Sequence, residues 1–84
     1  MSWPDATDAS GYTKDPNKAK SGNDLGAIRA SPSVQDCMAA CNAAPTCKSI
    51  AYKKDGSECW LKRYTQADNA GNDNNWDTYY KTYS

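Results

Sequence analysis

Cys37, Cys41, Cys47 and Cys59 are the residues of this chain best placed for covalent chemistry, and their spacing is Cys-x3-Cys-x5-Cys-x11-Cys. An even number of cysteines in a chain of 84 residues reads as an oxidised, extracellular disulfide framework. A zinc site calls for paired Cys-x2-Cys knuckles or for histidine, and the chain has neither. The lack of histidine also removes the commonest general base. Serines and lysines are present without any local pattern that activates a nucleophile, and the carboxylates are scattered, so the reading is not an enzyme. The run from Asp68 to Asp77 is rich in Asn and Asp oxygens, and calcium takes six to eight such ligands. Its spacing does not fit an EF-hand loop, and runs of Asn, Asp and Gly are ordinarily turns. No metal and no cofactor are expected.

The aromatic residues make the better case for a site. The chain holds 3 Trp and 6 Tyr but no Phe, a bias toward rings with a polar handle, which suit surfaces that are half apolar and half wet. Such rings stack on the C–H faces of sugars while Asn, Asp and Lys bond the hydroxyls. Trp60 is the leading ligand-binding candidate, followed by Trp76, Tyr79 and Tyr80. The plainer reading is that a small domain without Phe builds its core from these same rings. Tyr52 reads as core, Trp60 fits either role, and Lys53, Lys54, Lys62 and Arg63 read as solvated surface charges.

The length allows one domain, residues 1–84, with an irregular polar lead over 1–21 and at most one short strand before residue 24. Apolar residues make up 38%, too few for a large core, so covalent staples are needed. Ten basic and ten acidic residues cancel, which argues against nucleic acid, since that partner demands a basic surface. No apolar stretch approaches the ~20 residues of a membrane span. No leader peptide precedes Met1-Ser2-Trp3, which reads as a trimmed start, so a secreted protein would have shed its leader. No Asn-x-Ser/Thr acceptor for N-glycosylation occurs.

These residues have to be positioned by a few elements. A helix is predicted from Pro32 to Ala43, with Ser31 as N-cap and Pro32 in the first turn. Val34, Cys37, Met38 and Cys41 form its apolar stripe, and Pro45 stops it. Asp24 to Arg29 reads as a strand. A hairpin over Lys48–Lys53 and Glu58–Lys62 turns at Asp55-Gly56. A tight turn there sets Tyr52 against Cys59, Ala51 against Trp60 and Ile50 against Leu61. Ile50, Tyr52, Cys59 and Leu61 then face the helix, while Ser49, Ala51, Lys53, Glu58, Trp60 and Lys62 form a polar outer face. After a polar loop over 65–75, Trp76 to Tyr83 alternates as a strand, with Trp76, Thr78, Tyr80 and Thr82 on one side.

Four cysteines allow three pairings. Cys37 and Cys41 sit one turn apart, with Cβ atoms ~5–6 Å apart on a helix, whereas a disulfide needs ~3.5–4.5 Å. Of the remaining two pairings, Cys37–Cys59 with Cys41–Cys47 is favoured. Cys47 follows the helix stop closely, and Cys59 faces inward. By strict alternation Cys47 would share a face with Trp60, so it reads as preceding the regular strand.

The Cys-x3-Cys helix, the run Cys47-Lys48-Ser49-Ile50-Ala51-Tyr52 and the hairpin into Cys59-Trp60-Leu61-Lys62 resemble the PAN/apple domain family. Gly22-Asn23-Asp24-Leu25-Gly26 and Ser31-Pro32-Ser33 are similar to that family's approach to its helix, and the likeness covers about residues 22–63. The resemblance implies an α+β fold, one helix on a curved antiparallel sheet of about five strands, stapled by the same two bridges. It matches the four-cysteine type, without the extra bridge that joins the termini of six-cysteine apple domains. It also implies a non-catalytic module that binds proteins or carbohydrates, as in the surface lectins and wall-binding proteins of microbial eukaryotes. The leading expectation is a secreted, lectin-like carbohydrate-binding module. A protein–protein adhesion module comes next, and third a structural subunit of an extracellular fibre that self-associates through sheet edges. Non-reducing peptide mapping checks the pairing: the expected products are Cys37–Cys59 and Cys41–Cys47 peptides with no free thiol, and a Cys37–Cys47 peptide would refute it.

Overall fold

A computed structural model of the chain describes residues 11–81. Strands β1 (Tyr12–Asp15), β2 (Lys18–Ala19) and β3 (Asp24–Ile28) precede one helix, α1 (Val34–Ala43). Strands β4 (Ser49–Lys53), β5 (Cys59–Lys62), β6 (Gly71–Asn72) and β7 (Trp76–Lys81) follow, with a 3-10 turn at Gln66–Asp68 between β5 and β6. The main sheet has five strands in the order β1-β7-β4-β5-β3, all adjacent pairs antiparallel. A small β2-β6 ribbon lies beside it. The fold is therefore the α+β, helix-on-sheet class, with disulfide bonds at Cys37–Cys59 and Cys41–Cys47.

The helix begins later than the sequence suggests. Ser33, not Ser31, is its N-cap: its hydroxyl accepts from the Asp36 amide at 3.0 Å, and the Asp36 carboxylate accepts from the Ser33 amide at 3.1 Å. This reciprocal capping box satisfies two orphan donors at once, so it outcompetes Ser31, whose φ is +52°. The stripe is placed as the spacing demands. Cys37, Met38 and Cys41 are fully buried, and Val34 packs at the margin of the same cluster. At the far end the Ala44 amide closes on the Cys41 carbonyl.

Hairpin register also follows the sequence: Ile50 opposes Leu61, Ala51 opposes Trp60 and Tyr52 opposes Cys59. The connection, however, runs over residues 54–57 rather than being a bare two-residue turn. The Gly56 amide donates to the Lys53 carbonyl, and Gly56 takes φ +78°, where a side chain is disfavoured. The Lys53 amide still reaches the Glu58 carbonyl at 3.0 Å, which preserves the register.

The described part of the N-terminal lead is not irregular. Tyr12 to Asp15 adds an edge strand to β7, and Lys18–Ala19 pairs with Gly71–Asn72 inside the segment expected to be loop. Local sequence held no sign of these pairs because the partners lie 52 to 69 residues away along the chain. Residues 1–10 of the lead, and Thr82 and Tyr83 at the end of the predicted last strand, lie outside the described residues.

Two clusters fill the interior, one on each side of the sheet. Between sheet and helix lie Tyr12, Met38, Ile50, Tyr79 and the four cysteines. On the opposite side Tyr64, Ala70 and Tyr80 form a second cluster, where the sequence reading placed a polar, solvated face. Ser49 and Thr78 on that face are wholly buried, and Lys62 nearly so. They are buried at tolerable cost because each is hydrogen-bonded. Ser49 donates to the Tyr64 carbonyl at 2.8 Å, and Thr78 donates to the Lys18 carbonyl at 2.8 Å. With its one proton so used, Thr78 accepts from the Tyr64 phenol at 3.0 Å.

Met38 and Ala39 test the helix face, being fully buried and exposed respectively. Met38→Ala is expected to lower unfolding free energy by roughly 2–5 kcal/mol, and Ala39→Asp by under about 1 kcal/mol, a propensity effect. Urea denaturation followed by circular dichroism reads both; equal losses would contradict this face assignment.

Candidate functional site

Strand parity builds the site. Cys59 and Leu61 turn toward the helix, so Trp60 between them stands on the opposite face of β5. On β7, Tyr79 opposes Ile50 and turns inward, so Trp76 and Tyr80 share the face of Trp60. Between the two indole-bearing strands runs β4, which presents Ala51 there, opposite both Trp60 and Thr78. A methyl group between two tryptophans leaves a hollow. It is closed on the far side by the segment 19–22 and by Asp73. The result is a cleft of about 340 Å³ with Ala51, Trp60 and Trp76 against the sheet and Lys20, Asp24, Glu58, Lys62 and Asp73 around them.

Each wall is held by specific contacts. The Trp60 indole N–H donates to Glu58 Oε1 at 2.7 Å, which fixes the ring's rotation. The Arg29 guanidinium lies 4.9 Å and the Lys62 ammonium 5.5 Å from the ring centre, within cation–π range. Lys53 lies 6.0 Å from the Trp76 ring centre. Lys62, read from sequence as a solvated charge, is instead buried. It pairs with the Asp24 carboxylate and donates to the Gly22 carbonyl at 3.2 Å, which ties the approach to β3 onto β5. Across the cleft, Asp73 Oδ1 accepts from the Asn75 amide at 3.0 Å.

Of the four aromatic candidates, Trp60 and Trp76 come together and are each half-buried. Tyr79 and Tyr80 do not join them. Tyr79 is in the helix-side core, and Tyr80 packs edge-on against Tyr64 at 6.0 Å between ring centres, with 3% of its surface exposed. Their rings are taken up largely in packing because the chain has no Phe to do that work, and Tyr80 also lines a second hollow with Lys48, Thr65, Gln66, Ala67 and Lys81. The cleft's charged rim went unseen in the sequence. Asp24 and Asp73 reach the cleft only through tertiary structure, and only Glu58, two residues from Trp60 on the same strand side, carried a local signal. Among the described residues, no group of three or more His, Cys, Asp or Glu gathers to hold a metal ion. None of the described helices is long and apolar enough to cross a membrane.

Burial marks the tyrosines electrostatically. Removal from water, reinforced by Tyr64 nearby, pushes the Tyr80 phenol from 10.0 up to about 12. Burial raises Tyr64 too, against an opposing hydrogen bond from the Lys20 backbone.

The profile of the family described as PAN domain matches residues 11–83. A major microneme antigen and a microneme antigen L2, both of Sarcocystis muris, are each 36% identical to this chain over 55 residues, 66% of its length. The match takes in 22% of the first antigen and 39% of the second, so the chain spans well under half the length of these curated relatives.

The Tyr80 shift sets an alkaline limit. A phenol with a raised folded pKa favours the fold while neutral, and that contribution fades as pH rises from about 10 toward about 12. Melting temperature is expected to hold steady below about pH 10 and to fall above it, and Tyr80→Phe is expected to lessen the fall. Parallel slopes for the two proteins in thermal melts would show that Tyr80 is not the responsible group.

Proposed function

The chain belongs to the PAN domain family, and on that footing we propose that it is a non-catalytic, extracellular binding module whose Trp60–Trp76 cleft takes carbohydrate. One observation carries the reading: two half-buried indoles flank a cleft floored by Ala51 and rimmed by charged hydrogen-bonding groups. Apolar ring faces beside polar side chains match a sugar, which is itself apolar on its C–H faces and polar at its edges. The rim holds carboxylates and ammonium groups that already engage the indole or one another, an arrangement suited to holding a ligand rather than transforming one.

A protein-adhesion role is the second reading, and the β3 edge favours it. β3 has a sheet neighbour on one side only and carries Leu25, the one large apolar side chain that stands exposed among the described residues. Open strand edges pair with extended peptides. The bulge between Asp24 and Gly26 breaks the ladder there, which makes this edge a poorer template than a straight one.

Trp60→Ala distinguishes the two. It is expected to leave the far-ultraviolet circular dichroism unchanged and to weaken glycan-array binding at least about tenfold, the loss of one aromatic anchor. Tyr79→Ala is expected to destabilise the fold instead. A folded Trp60→Ala protein that binds its glycan with unchanged affinity would move the site away from the cleft.

A further inference from the structure

Lys48 and Lys81 meet at the end of the sheet away from the indoles. Ser49 opposes Tyr80 across β4 and β7, so the next pair outward is Lys48 with Lys81, and the Lys81 amide donates to the Lys48 carbonyl at 2.9 Å. Trp76 begins the same strand that Lys81 ends, about 17 Å away along extended chain. Residues directly opposite on antiparallel strands point the same way, and like charges so placed are destabilising. Where the chain packs other lysines it supplies carboxylates: Asp77 for Lys14 and Lys54, Asp24 for Lys62. Among the described residues neither Lys48 nor Lys81 has an ion pair. Lys81 is held by a hydrogen bond to the Cys41 carbonyl at 2.9 Å, in the last turn of α1, where a cation is favoured. An ammonium carries three protons, so two remain. Burial, and then the Lys48 charge, hold the Lys81 ammonium below its usual pKa, so the two cations act on each other. Capping the helix accounts for Lys81 but not for a second cation set beside it.

The two lysines share a hollow of about 330 Å³ with Tyr80 and the turn residues Thr65, Gln66 and Ala67. That volume lies in the ~300–1,000 Å³ range of small-molecule sites and exceeds what a bare ion fills. No carboxylate lines it. Asp15 and Asp68, whose charges reach Tyr80, stand outside the lining. Asp68 is also engaged within its own turn, accepting from the Thr65 amide at 2.7 Å and the Thr65 hydroxyl at 3.3 Å. The Gln66 side chain has no hydrogen bond among the described residues, which leaves an amide free to bond hydroxyls.

We propose that this hollow is a second binding site, separate from the cleft, which takes one acidic sugar residue with its carboxylate or sulfate between the Lys48 and Lys81 ammonium groups. The anion relieves the repulsion between the two cations, and Gln66 bonds the sugar's hydroxyls. That the ligand is a sugar rests on the carbohydrate reading above; the demand for negative charge rests on the lysines alone.

The test is a titration followed by amide chemical shifts at constant ionic strength. The probes are glucose, glucuronate, N-acetylneuraminate, glucose 6-sulfate, acetate and inorganic sulfate. At least one acidic sugar is expected to shift the amides of Lys48, Thr65, Gln66 and Lys81 and to bind at least about tenfold more tightly than glucose, acetate or inorganic sulfate. The carboxylate and sulfate arms tell which group the hollow prefers. Lys48→Gln is expected to weaken that binding about tenfold with unchanged circular dichroism, since Lys48 is exposed. Arg63→Gln, which removes an equal charge at an exposed position outside the hollow, and Trp60→Ala are expected to leave it intact. Acetate or inorganic sulfate bound as tightly as the sugars would mean an adventitious ion only and would overturn the inference. So would equal losses from Lys48→Gln and Arg63→Gln, or an acidic sugar that shifts no amide around the hollow. Loss of acidic-sugar binding in Trp60→Ala but not in Lys48→Gln would place that sugar in the cleft, overturning this site while leaving the carbohydrate reading in place.

Discussion

The Cys37–Cys59 bond is the constraint on which the rest of the structure depends. It joins α1 to β5 across the core and closes a loop with a sequence separation of 22. In a chain this small such a crosslink contributes on the order of 3 kcal/mol by restricting the unfolded state. Its geometric consequence is larger than its energetic one. A disulfide to the helix fixes Cys59 on the inner face of β5, and with period-two alternation every other residue of the strand is then assigned. Trp60 stands on the outer face because Cys59 cannot. The second bridge, Cys41–Cys47, ties the end of the helix to the approach to β4. Both cysteine sulfurs lie near the Ser49 carbonyl at the start of that strand.

A sheet with few aliphatic residues has to be covered by other means. Tyr12, Tyr64, Tyr79 and Tyr80 supply the ring volume that Phe would supply elsewhere, and each brings a hydroxyl that must be satisfied or left at the surface. The Tyr12 phenol answers by bonding the Met38 carbonyl and Asn42 on the helix. Tyr64 bonds Thr78, and Thr78 bonds the β2 backbone, so a relay of hydroxyls replaces part of an apolar layer. No buried side-chain nitrogen or oxygen among the described residues lacks a partner. This hydrogen-bonded second layer also holds the segment 19–22 above the sheet, and so supplies the far wall of the cleft.

The cleft is a by-product of that covering. The ribbon and tyrosines roof the outer face near β7 and Ser49 but stop short of Ala51, where a small residue leaves the space between two indoles unfilled. Ion pairing then sorts the rim. Lys62 and Asp24 act as a strut between strands, and Arg29 and Lys62 flank the Trp60 ring, so the ring is held in place. Preorganised aromatic walls lower the ordering cost of binding, which suits the binding role proposed above.

What the sequence determined by itself was whatever depends on local period and near neighbours. The stripe of Val34, Cys37, Met38 and Cys41 marked the helix and its buried face. Alternation on both sides of Asp55-Gly56 marked the hairpin, its register and the outward setting of Trp60, and the cysteine spacing with Cys59-Trp60-Leu61-Lys62 marked the family. These are readable because a helix repeat and a strand repeat are written within ten residues. Tertiary structure alone decided which outward residues meet solvent. Tyr80 and Trp76 share a face and a strand, yet one is covered by Tyr64 and the other opens on the cleft, and no local pattern separates them. The same holds for β1 and β2, whose partners lie near the other end of the chain, and for Lys62, whose burial depends on Asp24 and Gly22 arriving from some 40 residues upstream. Burial on a strand's second face is a property of whatever the chain later lays over it, and that is fixed by long-range packing, not by the residues of the strand.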